Sequence, residues 1–120
     1  MTIVHQTLFD RIAQKYSEDE SSDRFVLAWY YALDRVYDDL ESPKVGLSLG
    51  TPPTDLDTDL DIATKYTGVL TDGINRYLRD VGEWGSESTD SLKAQYRQST
   101  GEAHTMNMDD TEVFTRLGDI

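Results

Sequence analysis

The stretch Asp59 to Trp84, DLDIATKYTGVLTDGINRYLRDVGEW, constrains the fold more than any other. Ala63, Tyr66, Leu70, Ile74, Tyr77, Leu78 and Val81 recur at steps of three and four, which puts them on one face of an amphipathic helix. Asp59 or Asp61 is suited to cap the free N–H groups at its start, where negative charge also favours the helix dipole. Gly82 or Gly85 is the expected stop, because glycine accepts the left-handed backbone that closes a helix. Trp84 sits just past the stripe and is placed to fold back onto it. Gly68 and Gly73 cost about 1 kcal/mol each relative to alanine, which helices tolerate mostly where another backbone comes close. A single apolar stripe needs a partner surface, so a small helical bundle is expected.

The partners precede it in the chain. Val4, Leu8, Phe9, Ile12, Ala13 and Tyr16 predict a first helix over residues 3–16. Ser17-Glu18-Asp19-Glu20 fits a capping box, opening a second helix that runs to about Leu40, with Asp23 as the alternative start. The middle of that helix, Phe25 to Leu33, is apolar on every side, and a helix apolar all round is buried all round. Two arrangements satisfy it. Either part of the segment, through Phe25, Trp29 and Tyr30, meets another chain, or the segment is central with the Tyr30 and Tyr31 hydroxyls turned outward.

Pro43 ends the second helix, and residues 42–58 form a long non-helical loop. Val45, Leu47 and Leu49 alternate with Gly46 and Ser48, a short strand pattern. A lone strand needs a partner, so this one is a candidate to pair with a neighbouring chain. Asp55, Asp57, Asp59 and Asp61 invite a calcium reading, but no register has glycine at position six and glutamate at position twelve of an EF-hand loop. Leu92 and Tyr96 predict a short fourth helix ending near Gln98. Residues 99–112 hold little that fills a core, and Val113, Phe114, Leu117 and Ile120 close the chain as an apolar group. That group either docks on another surface or forms a short helix on its own domain. The expected fold is therefore all-α: three main helices, a short fourth, a long strand-containing loop, and an extended C-terminal tail. Residues 1–98 make the helical domain, with loop 42–58 inserted, and 99–120 make the arm.

Composition narrows the function. The chain of 120 residues has no cysteine, so disulfides and thiolate-held metals are excluded. No apolar run is long enough for a membrane span, and the first residues read as an amphipathic helix rather than a signal peptide. The formal net charge is −12, from 23 acidic residues against 11 lysines and arginines. Such a surface repels phosphate and argues against direct nucleic-acid binding. The Asp-rich, Lys-poor balance fits a halophilic source, where molar salt screens self-repulsion within about 3 Å. It also fits a basic partner, or a channel through which DNA must slide. His5 and His104 are isolated and read as surface or capping residues, not as metal ligands or catalytic groups. No phosphate loop, dinucleotide fingerprint or nucleophile elbow is present. No catalytic, cofactor-binding or metal site is therefore expected, and the chain reads as a non-enzyme.

The layout carries a resemblance. An N-terminal helix precedes an aromatic-rich helix ending Ala32-Leu33-Asp34-Arg35-Val36-Tyr37-Asp38-Asp39-Leu40, followed by a loop with a strand-like piece. Then come Leu60-Asp61, Tyr66, Leu70, Gly73, Tyr77-Leu78 and Gly82-Glu83-Trp84, and a helix with Ala94 and Tyr96. Over roughly residues 20–100 this resembles the small head–tail connector (adaptor) proteins of tailed viruses, here one of a haloarchaeal host. The resemblance implies a structural protein of the virion neck that forms a homo-oligomeric ring, typically dodecameric, between the portal protein and the next tail ring protein. Viral DNA would pass through without specific binding, and no cofactor or membrane would be involved. It gives the surplus apolar surface a role: Phe25, Trp29 and Tyr30 in lateral contacts, and Val45, Leu47, Leu49, Val113, Phe114, Leu117 and Ile120 in contacts with other rings. The alternative is a small acidic halophilic cytoplasmic protein, regulatory in role, that binds a basic partner.

Overall fold

The computed structural model describes residues 1–82 and 84–118, with side chains as far as Met108 apart from that of Glu83. In chain order the helices are α1 (His5–Lys15), α2 (Asp23–Glu41), α3 (Thr67–Gly82) and α4 (Thr89–Gly118), with a 3-10 turn, Thr64–Tyr66, leading into α3. Helix α3 packs against both α2 and α4. At Gly73 a β-carbon would come within 2.7 Å of both Val36 of α2 and Tyr96 of α4. Gly73 is thus where three helices close on one another, and what comes close is side chains rather than backbone. Gly68 has open space around it. No helix among the described residues is long and apolar enough to cross a membrane.

The helical stripe begins later than its periodicity predicts. Ile3 donates its N–H to Ile62 (2.9 Å), Leu60 to Ile3 (3.0 Å) and Thr64 to Met1 (3.1 Å). The first three residues therefore lie antiparallel to 60–64, around the isolated bridge Thr2–Ala63, and bury Ile3, Leu60 and Ile62. Backbone donors committed to this pairing are not free for a helix, so α3 starts at Thr67. Asp61 does not cap it: its carboxylate accepts from the Tyr37 hydroxyl (2.9 Å) and the Gly50 N–H (2.7 Å). The same pairing holds residues 3 and 4 out of α1.

The capping box at Ser17 does not form. Ser17 has φ of 56° and donates to Gln14 (3.1 Å), while Glu18 donates to Ala13 (2.9 Å). Ser17 closes α1 in a left-handed turn, and α2 starts at Asp23 after Ser22.

Within α2, Phe25, Ala28, Trp29, Ala32, Leu33, Val36, Tyr37 and Leu40 are buried. Phe9 of α1 meets Trp29 and Phe25 edge-on, at ring separations of 5.0 and 5.6 Å. Trp84 does fold back, edge-on to Phe25 at 5.4 Å. The all-round apolar segment is thus largely this chain's own core, and only Leu27 and Tyr31 of it are exposed.

Two expectations are corrected. No strand occurs in loop 42–58. Val45 and Gly46 both donate to Ser42 (3.1 and 2.7 Å), Gly46 takes φ of 81°, and Leu47 donates back to Leu40 (2.9 Å). These donors fold the chain into a turn under the end of α2, and Val45 enters the core fully buried. Nor does the chain leave the domain at residue 99 as an extended arm, since α4 continues as one helix to Gly118. Beyond Tyr96 it is held inward by Ala103, which is fully buried, by Met106 against the core, and by Asn107. The Asn107 amide donates to the carbonyls of Val45 (2.9 Å) and Gly46 (3.2 Å).

Candidate functional site

Two surface features have no structural task within the domain. The first is a basic cleft of about 360 Å3 lined by Asp39, Lys44, Arg76, Tyr77, Lys93, Tyr96, Arg97 and Thr100. Three helices and the turn after α2 converge to make it. On α4, positions 93, 96, 97 and 100 fall on one face by helical spacing. Tyr77 and Tyr96 meet edge-on at 6.1 Å, and both hydroxyls donate to Oδ2 of Asp39, at 2.5 and 2.9 Å. Burial and the Asp39 carboxylate push the Tyr77 hydroxyl up to about 12. Burial, then the same carboxylate, also raises Tyr96. Both stay neutral donors, so the Asp39 charge is held by two hydroxyls. The Arg76 guanidinium lies over the Tyr77 ring at 4.5 Å and near that of Tyr96 at 5.9 Å.

Four of the chain's 11 lysines and arginines thus gather around one carboxylate. Among the described residues the only ion pair within 4 Å is Lys15–Glu87, at 3.4 Å on the surface. Lys44, Lys93 and Arg97 therefore have no carboxylate partner there. In a chain of net charge −12 such a cluster is a place suited to a polyanionic group.

The second feature is apolar. Leu27 is 74 % exposed, Val81 46 % and Tyr31 43 %. With Arg24, Ala28 and Trp84 they surround a shallow depression of about 450 Å3 between α2 and the end of α3. Arg24 stacks on the Trp84 ring at 5.3 Å, and Arg35 donates to the Tyr31 hydroxyl at 3.3 Å. Covering a large apolar side chain gains about 1.5–3 kcal/mol, so a partner surface here has much to gain.

The residues singled out from sequence as interface fall differently. Phe25, Trp29 and Val45 are fully buried, and Tyr30, Leu47 and Leu49 are half-buried against the core. Val113, Phe114 and Leu117 belong to the last turns of α4, where side chains lie outside the described residues, as does Ile120 altogether. The outward groups of α2 are Leu27 and Tyr31, an i, i+4 pair of which the sequence analysis turns only the Tyr31 hydroxyl outward. Lys93 and Arg97 are another such pair, and their like charge was the available sign of the cleft.

His5 is not a surface residue. It is fully buried, accepts the Trp29 indole N–H at Nε2 (2.9 Å), and lies 2.9 Å from the Asp55 carbonyl at Nδ1. Indole only donates, so Nε2 must be the acceptor and Nδ1–H the donor. A neutral imidazole thus ties α1 and α2 to the acidic loop, and burial lowers its pKa, against weaker opposing effects of Asp55, Thr58 and Asp59. Asp55 in turn accepts from Thr58, at its N–H (2.8 Å) and its hydroxyl (2.9 Å).

No protein-family model, curated protein or solved structure matches this chain.

Proposed function

We propose that the chain is a structural assembly subunit: a head–tail connector of a tailed virus that forms a ring between the portal and the next tail protein. The observation that carries the reading is the exposed Leu27, Tyr31 and Val81 patch, since in a chain this acidic an outward apolar depression is best explained by a covering chain. The resemblance in layout supplies the kind of assembly. Residues 113–120, with Val113, Phe114, Leu117 and Ile120, remain candidates for the contact with portal or tail. The acidic surface would line or face a channel through which DNA passes without sticking, in a virion assembled at high salt.

The patch is open to test because its residues are exposed and their replacement spares the core. Leu27→Glu combined with Val81→Glu is expected to keep the wild-type circular dichroism spectrum and to lose recruitment to the portal protein in a pull-down. Full recruitment by this variant contradicts a covered patch. If the wild type ignores portal and instead forms a one-to-one complex with a basic protein, the regulatory alternative takes its place.

A further inference from the structure

We propose that the basic cleft is the socket for the acidic loop 55–59 of a second copy of this chain, so that copies join head to tail. The inference rests on the reading of the chain as a ring subunit, and it names the contact that orders the ring.

Three observations carry it. The cleft holds four cations, and Lys44, Lys93 and Arg97 have no carboxylate partner among the described residues. The chain itself supplies a matching polyanion: no lysine or arginine lies between Lys44 and Lys65, a span that contains Asp55, Asp57, Asp59 and Asp61. Asp55, Asp57 and Asp59 are exposed, while the loop backbone is fixed by the His5 and Thr58 contacts to Asp55. A loop already held in place loses little freedom on docking.

The third observation is direction. Tyr30 lies on the loop side of α2, edge-on at 6.2 Å to the His5 ring that bonds the Asp55 carbonyl. Asp39 lies in the cleft. The two are nine residues apart on one helix, and at about 100° per residue that is half a revolution. Loop and cleft face opposite ways, so a molecule cannot fill its own cleft. A contact between unlike patches on two copies is heterologous, and it closes into a ring or extends as a filament.

A second copy is favoured over a free polyanion by the contacts it adds beyond charge. Net charge −12 repels a free polyanion and a second copy alike at long range. Exposed ion pairs are individually weak, so the cleft alone does not hold a ligand against that field. A second copy brings further contacts, and the ion pairs then set register and partner orientation.

The test reverses charge on each side. Lys93→Glu with Arg97→Glu reverses the cleft, and Asp57→Lys with Asp59→Lys reverses the loop. Each pair is expected to abolish oligomers of the full chain, measured by sedimentation velocity alone and after mixing with portal protein, with circular dichroism unchanged. The variant carrying all four substitutions should assemble again, and its net charge is that of the wild type, so rescue cannot come from altered bulk repulsion. If the cleft variant assembles as the wild type does, the cleft is not the contact and the ring reading stands without it. If both reversals abolish assembly but the fourfold variant gives no rescue, cleft and loop do not meet, and the proposal is overturned. A wild type that assembles neither alone nor on portal overturns the ring reading and this contact together.

Discussion

Gly73→Leu is expected to cost about 3 kcal/mol or more, the upper part of the range for overpacked cores. A marginal domain has about 5–15 kcal/mol in all, so the variant should unfold at far lower urea or not fold cooperatively. The cause lies in three helices at once. A β-carbon at this position already falls 2.7 Å from Val36 Cγ2 and from Tyr96 Cε1. Neither neighbour yields easily: Val36 is fully buried, and the Tyr96 ring is held by its hydrogen bond to Asp39. Gly73→Ala should be destabilising for the same reason, despite the better helix propensity of alanine. Gly68 and Gly101 have nothing within 4 Å of an added β-carbon, so alanine at either should stabilise by about 0.5–1 kcal/mol. Urea denaturation of the three alanine variants checks the contrast. A Gly73→Ala protein as stable as Gly68→Ala would mean that α2, α3 and α4 do not meet as described.

His5→Phe is expected to have the next largest effect and to change the response to pH. The substitution keeps an aromatic ring but leaves the Trp29 indole N–H and the Asp55 carbonyl without their protein partner. The Trp29 N–H left buried and unpaired costs about 1–3 kcal/mol, while the carbonyl of the exposed Asp55 turns to water, so a loss of about 1–3 kcal/mol is expected near neutral pH. The pH dependence follows from the tautomer. The folded imidazole is neutral and its pKa is lowered by burial, whereas in the unfolded chain it titrates near its ordinary value of 6.5. The unfolded state therefore binds more protons below that value, and stability falls as pH falls, by at most about 1.4 kcal/mol per pH unit. The contribution is fully present above pH 6.5. The stability gap between wild type and His5→Phe should accordingly narrow from pH 7 to pH 5, and a gap that widens would place the charged form of His5 in the folded core.

These two residues also mark how far the sequence could be read. The apolar repeats in α1, α2 and α3 are dense enough to announce helices, and Gly73 stood out as a costly residue inside one of them. The start of α3 was hidden because Leu60 and Ile62 share its apolar spacing while their backbone pairs with Ile3. His5 looked like a surface residue because nothing local shows that Trp29, 24 positions on, aims its indole at it. Helix α4 reads as ending near Gln98 because large apolar residues no longer recur regularly at its inward positions beyond Tyr96. Ser99, whose hydroxyl donates to Asp72, then Ala103 and Asn107, continue the helical spacing with small and polar groups, and hydrogen bonds take the place of hydrophobic contact. The Val45, Leu47 and Leu49 alternation is real in sequence, but Gly46 bends the chain before a strand forms. Of the cleft, the sequence shows only the like-charged Lys93 and Arg97 pair, since Lys44, Arg76 and Lys93 come from three separated segments that only the fold brings together.

The ring reading is tested most directly by native mass spectrometry of the chain co-expressed with the portal protein of the same virus. A single complex is expected, heavier than the portal alone by a fixed multiple of 13.6 kDa. That multiple should equal the portal's own copy number or its ring symmetry. A portal peak of unchanged mass beside free 13.6 kDa chain, in low and in molar salt, would contradict it.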